Sequence, residues 1–219
     1  APDDIIFDYF QEVAFPDQAM GRPVLGKAEI VRDLPRDVVA GYMASRYRAD
    51  QMVLAASGRL DHDRLVDLAQ KLFDKLPTGP SFVPEPARYG GGDHRTRRDL
   101  EQVHLVLGFD GVGYDHPDYY VAAVLSQLLG GGMSSRLLQE IREKRSLVYS
   151  IHSFTGTYQD GGIFGIYAGT GEDEVTELLP VVCDELGKVT TDMSAAEVAR
   201  AAAQLKAAAL MSREKPSAR

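Results

Sequence analysis

Two β-rich runs, Leu147–Tyr158 and Gly162–Gly169, are joined by Gln159-Asp160-Gly161. Asp-Gly readily takes up the positive-φ backbone that a tight reversal needs, so this spacing predicts an antiparallel hairpin. Glu101–Phe109 (EQVHLVLGF) alternates apolar and polar residues and is predicted to lie in the same sheet. Around these strands run helical patterns. Asp3–Ala14 places Ile6, Phe7, Phe10 and Val13 at helical spacing just after Pro2, with acidic residues in its first turn. Arg36–Arg48, Asp61–Lys75 and Ser135–Lys144 also read as helices, as does a segment from about Pro117 to the Gly130-Gly131-Gly132 run. That glycine run is expected to cap the helix and reverse the chain. Glu172–Val189 is a helix that Pro180 should kink, and Ser194-Ala195-Ala196-Glu197 is a capping box opening an alanine-rich helix.

Pro77–Gly92 (PTGPSFVPEPARYGGG) contains prolines and glycines that neither a helix nor a central strand tolerates, and it has no apolar period. The expected fold class is therefore α+β: two related layers, each a β-sheet covered by helices, joined by this Pro/Gly-rich linker. Residues 1–76 would form the first domain's C-terminal part, 77–98 the linker and 99–219 the second domain. In the first domain the short apolar run Met52–Gly58 is predicted to be a buried strand.

A formal charge of −8 over 219 residues provides no broad basic field to attract nucleic acid or anionic lipid. No apolar run reaches the length of a membrane helix. The single cysteine, Cys183, lies among Val181, Val182 and Leu186 and is expected to be a buried structural thiol. It cannot form an intramolecular disulfide, which fits a reducing compartment and favours a cytoplasmic location.

A catalytic zinc site needs about three side-chain ligands, commonly with two on one helix. The histidines, His62, His94, His104, His116 and His152, never fall within five positions of one another. Gly-x-Ser-x-Gly is absent, and Gly130–Arg136 lacks the glycine-lysine end of a phosphate loop. One stretch, Leu128–Ser150 (LLGGGMSSRLLQEIREKRSLVYS), has a more specific pattern: a glycine run, a Ser-Arg-Leu helix start, an Arg-Glu-Lys helix end and a Leu-x-Tyr strand. It resembles the second-domain signature of the peptidase M16 family, the inverted zincins related to pitrilysin, insulinase and mitochondrial processing peptidase. Asp99–Phe109, Asp115–Tyr120, Gly161–Gly169, Phe15–Gly26 and Met52–Asp61 resemble the same family in the same order, so the likeness covers nearly the whole chain.

The resemblance implies a zinc-dependent metalloendopeptidase that encloses extended peptides or presequences. An Arg and a Tyr of the second domain would contact the substrate and the transition state, and matching the motif residue by residue puts them at Arg142 and Tyr149. Arg142 lies one helical turn after Leu138, at the edge of the stripe formed by Leu137, Leu138 and Ile141, and a short turn separates it from Tyr149. A guanidinium and a phenol can both donate hydrogen bonds to a developing oxyanion. Arg145 is the rival cation and ranks second on the family's spacing. The plainer alternative is that Arg142 pairs with a nearby acid and Tyr149 packs with its hydroxyl satisfied.

The family's His-x-x-Glu-His and later glutamate ligand would lie upstream of Ala1. Asp3–Ala14 resembles the helix after that glutamate, so Glu12 is assigned no metal role. The resemblance therefore implies zinc in the full-length protein, with none bound by this stretch, which alone should be inactive. It also implies a partner, either a missing N-terminal half or a separate zinc-bearing subunit, and leaves homodimers and heterodimers open. The alternative function is a non-catalytic binding or scaffold subunit, like the core subunits of respiratory complexes.

Overall fold

The computed structural model describes residues 1–79 and 83–215; residues 80–82 of the Pro/Gly-rich segment and the terminal 216–219 lie outside it. In chain order the main elements are α1 (Pro2–Ala14), α2 (Ala28–Arg32), α3 (Arg36–Arg46), α4 (His62–Phe73), β1 (Val103–Gly111), α5 (Tyr119–Gly130), a π-helix (Leu138–Glu143), β2 (Ser150–Thr157), β3 (Gly162–Thr170), α6 (Val175–Asp192) and α7 (Ala195–Ser212). They form two compact units. One is Val24–Pro86, and the other joins Ala1–Pro23 to Ala87–Arg219. The larger unit includes α1, which packs on β1.

In the larger unit the three predicted strands do share one antiparallel sheet, in the order β1-β3-β2. Val103 faces Thr170, and Ser150 faces Gly169. The hairpin closes at Asp160-Gly161 as expected, although neither residue takes a positive φ, and the Tyr158 amide donates to the Gly161 carbonyl at 2.9 Å. Leu129, Leu137, Ile141, Ile166, Leu178 and Val182 form the core of this unit together with Leu147, Val148 and Ile151. Burying one large aliphatic side chain contributes about 1.5–3 kcal/mol, so this cluster is the main source of cohesion.

The other face of the sheet receives α1. Phe7 stacks on Tyr167 with ring centres 5.7 Å apart and meets Phe154 edge-on at 5.4 Å. This approach needs bare backbone at Gly108, where a Cβ would stand 2.0 Å from the Phe10 ring. His104 Nδ1 lies 2.8 Å from the Tyr167 hydroxyl, and His152 packs on the same ring at 5.0 Å. Burial there pushes the His152 pKa below its ordinary value.

Among the helices one reading is corrected and one is met, since the glycine run does cap α5 at Gly131. Cys183 is exposed rather than buried. The buried positions of α6 are Leu178, Val182 and Glu185, and Cys183 lies about 100° around the helix from Val182. Gly131, at the end of α5, has φ −85°, so the glycine run does not end the helix in a left-handed turn. Its purpose at Gly130 is closeness: a Cβ there would stand 2.3 Å from the Ser153 amide of β2. α6 continues across Pro180. No helix among the described residues is long and apolar enough to cross a membrane.

The capping box before α7 forms as predicted and has a further partner. Glu197 accepts from the Ser194 amide at 2.9 Å, and its two oxygens also take the Arg136 Nε and Nη2 at 2.7 and 2.9 Å. Arg136 also pairs with Asp192, tying the stretch before the π-helix to the α6–α7 junction. Arg136 first and Ser194 second lower the Glu197 pKa from 4.5 to about 2. A depressed carboxylate pKa stabilises the fold above the ordinary carboxylate range, and that contribution is lost as pH falls from 4.5 toward 2. Glu197→Gln is therefore expected to lower stability at pH 7 by about 1–3 kcal/mol. In urea unfolding at a series of pH values, the gap between variant and parent should narrow on acidification and close near the lower limit. A gap independent of pH would contradict this assignment.

The smaller unit holds α2, α3 and α4 and, among its described residues, no strand. Met52–Gly58, expected to be a buried strand, is outside any sheet, and Val53 is 94% exposed. A strand needs a neighbour to accept and donate its ladder bonds, and no described segment of the unit provides one. Among the described residues the smaller unit therefore has no sheet to match the expected second layer, and the fold is mixed α+β with a small antiparallel sheet. Asp61 caps α4 by accepting from the Arg64 amide at 2.9 Å, and buried Arg48 binds Asp50 and the Gly79 carbonyl.

Candidate functional site

The predicted helix Ser135–Lys144 is ordinary α-helix only at its start. The Gln139 amide reaches back four residues to the Ser135 carbonyl, but the Lys144 amide reaches back five, to Gln139. Over Leu138–Glu143 the winding is π, a form that is rare and found frequently at functional sites. Leu137 and Ile141 are fully buried beneath it and Leu138 nearly so. The segment is thus anchored by its apolar face, and Arg142 projects from the exposed one.

The chain then turns sharply. Ser146 has φ +56°, a left-handed conformation that a serine adopts at some cost. Its amide donates to the Arg142 carbonyl at 3.0 Å, and the Leu147 amide donates to the Ile141 carbonyl at 3.0 Å. Leu147 and Val148 enter the core, and the Tyr149 amide donates to the Gly169 carbonyl of β3 at 2.8 Å. Arg142 and Tyr149 therefore stand at the two ends of a single hydrogen-bonded turn.

Their surroundings separate Arg142 from its neighbours. Arg145 Nη1 donates to the Glu140 carbonyl at 2.7 Å and to its carboxylate at 3.0 Å, and Lys144 also binds that carboxylate. Lys144 first and Arg145 second hold the Glu140 carboxyl below the usual carboxylate range. Among the described residues, the Arg142 guanidinium and the Tyr149 hydroxyl make no hydrogen bond or ion pair, and Tyr149 is 63% exposed. Neither the pair with a nearby acid nor the satisfied hydroxyl of the plainer alternative is formed. Two hollows, one beside α1 and β1 and one beside the 159–162 turn, include neither residue in their walls. Both residues are exposed, and among the described residues nothing accepts from their donors.

Sequence reasoning missed the parts that hold this turn: Ser146, Gly169, Thr170 and the sequestering carboxylate of Glu140. Thr170 could have been suspected, since a hydroxyl at the core end of an apolar strand must find an acceptor. Of the histidines, His104 and His152 both lie against Tyr167, with no carboxylate or thiolate gathered beside them among the described residues. Among the described residues no three His, Cys, Asp or Glu side chains gather to hold a metal ion.

Residues 33–205 match the model of the family described as "Peptidase M16 inactive domain". The chain belongs to this family. A protein from Rickettsia felis called an uncharacterized zinc protease is 37% identical over 98% of this chain and 52% of its own length. The mitochondrial-processing peptidase subunit beta of Saccharomyces cerevisiae is 32% identical over 96% of this chain and 50% of its own length. Among solved structures, a chain of complex III2 from Candida albicans, with Inz-5 bound, superposes with a TM-score of 0.86 at 27% identity, covering all of this chain and 54% of that one. The M16 chain described here spans about half the length of the curated relatives it matches.

Proposed function

We propose that this chain is the part of an M16-type zinc metalloendopeptidase that grips the substrate, with Arg142 and Tyr149 donating to the carbonyl of an extended peptide or presequence and to the oxyanion that forms on it. One observation carries the reading: of the cations clustered at the end of the π-helix, Lys144 and Arg145 are tied to Glu140, whereas among the described residues Arg142 has no partner, nor does the Tyr149 hydroxyl across the turn from it. A guanidinium and a phenol without partners among the described residues break no bond when they turn to a substrate, and each can donate to an oxygen. Zinc belongs to the other part of a longer protein or to a partner subunit, because the ligands are not here. The names of the Rickettsia and yeast relatives support the peptidase class.

The test uses the full-length protein, or this chain reconstituted with a zinc-bearing partner, and an unstructured peptide substrate. Hydrolysis is expected, and Arg142→Lys should lower kcat severely although it keeps the charge, because the planar two-donor fork is lost. A second reading, a binding or scaffold subunit, is favoured by the likeness to a complex III chain. Absence of hydrolysis in an intact assembly, or Arg142→Lys with normal kcat, would decide for that reading.

A further inference from the structure

The turn between Arg142 and Tyr149 has a strained residue and must be held from outside itself. Ser146 occupies the left-handed region, and Tyr149 comes just before the first residue of β2, so the ladder bonds to β3 do not yet enclose it on both sides. What meets the turn from the sheet is Thr170, the last residue of β3, with no exposed surface. Its Oγ1 donates to the Leu147 carbonyl at 2.6 Å, while the residue before it, Gly169, accepts from the Tyr149 amide at 2.8 Å. Two consecutive residues of one strand thus hold two alternate residues of the turn, on either side of Val148, whose side chain is buried in the core. A fully buried hydroxyl must be satisfied within the protein, and this one donates to the Leu147 carbonyl, so it fixes the Leu147 peptide plane and with it the heading of the chain into Tyr149.

We infer that Thr170 is a positioning residue for Tyr149, acting through the Leu147 carbonyl without touching substrate. This rests on the reading of Tyr149 as a donor to the peptide oxyanion. A donor that must meet an oxyanion within a few tenths of an ångström loses most of its effect when the backbone under it shifts by about 1 Å, and it loses it in kcat rather than in KM.

Thr170→Val, in the full-length protein or the reconstituted assembly, removes the hydroxyl at nearly constant shape. It is expected to lower kcat tenfold or more with KM within about twofold, and Thr170→Ser should restore kcat to within about twofold of the parent. Combined with Tyr149→Phe, Thr170→Val should cost little beyond Tyr149→Phe alone, since both act on one donor. Amide hydrogen exchange gives a readout independent of turnover: protection of the Tyr149 amide should fall in Thr170→Val and return in Thr170→Ser. If Thr170→Val does not fold, Thr170→Ala provides a second hydroxyl-free variant for both measurements. Unchanged Tyr149 protection, or a kcat loss that adds fully to that of Tyr149→Phe, overturns the positioning role. Normal kcat in Tyr149→Phe together with lost protection in Thr170→Val instead overturns the reading of the site.

Discussion

Tyr149→Phe is expected to lower kcat about a hundredfold or more in the full-length or reconstituted enzyme, while the melting temperature stays where it was. The substitution removes one oxygen from a side chain that is mostly exposed and whose hydroxyl has no partner among the described residues. Folding therefore loses no hydrogen bond and the ring keeps its packing. A donor to the transition state contributes about 2.7–4 kcal/mol to the barrier, which sets the size of the rate loss. With the metal still bound and the fold intact, a kcat within a factor of a few of the parent would return Tyr149 to a surface tyrosine of no catalytic account.

Ile141→Ala should have the opposite signature. Ile141 has no exposed surface and packs with Leu137, Leu138 and Leu147 in the main core. Truncating it forfeits the transfer energy of the removed carbons and leaves a cavity that the surrounding sheet and helices fill only partly, a cost of about 2–5 kcal/mol. Its carbonyl also accepts the Leu147 amide that closes the turn. Urea unfolding should show the midpoint falling by the corresponding amount with the slope unchanged. A loss below about 1 kcal/mol would mean that the π-helix is held by its ends rather than by its buried face.

What could be read from the sequence was local. The hairpin depends on Asp160-Gly161 and the flanking β-rich runs, and the start of α7 on the reciprocal bonds of Ser194 and Glu197, so both could be placed from neighbouring residues alone. What could not be read depended on distant neighbours. Met52–Gly58 has the composition of a strand, but a strand exists only beside another, and the described chain has none for it. Cys183 sits in an apolar run, yet one helical step decides which side faces the core. Gly130 looked like a turn residue and proved to be a point of contact with β2, which the sequence places more than twenty residues away. At the candidate site Arg142 and Tyr149 were picked out by motif spacing, and their role stands as a proposal. The π winding was not legible, because no residue type marks an extra amino acid in a helical turn. Nor was the engagement of Lys144 and Arg145 by Glu140, which is what singles out Arg142 among three nearby cations.

A π-turn is a helix with one residue more than its winding calls for, and this one sits directly before the turn to Tyr149. Deleting a single residue from it would let the segment relax into the commoner α form, which is sterically easier and breaks no strand. Because the wide turn has absorbed the extra residue, what lies beyond the deletion would keep roughly its place, and the side chains inside the turn would change heading. Arg142 would keep its identity and lose its heading. In such a segment descent can silence a site by changing the length of the chain while leaving every functional side chain in the text of the protein, and comparison of residues column by column would not detect the loss.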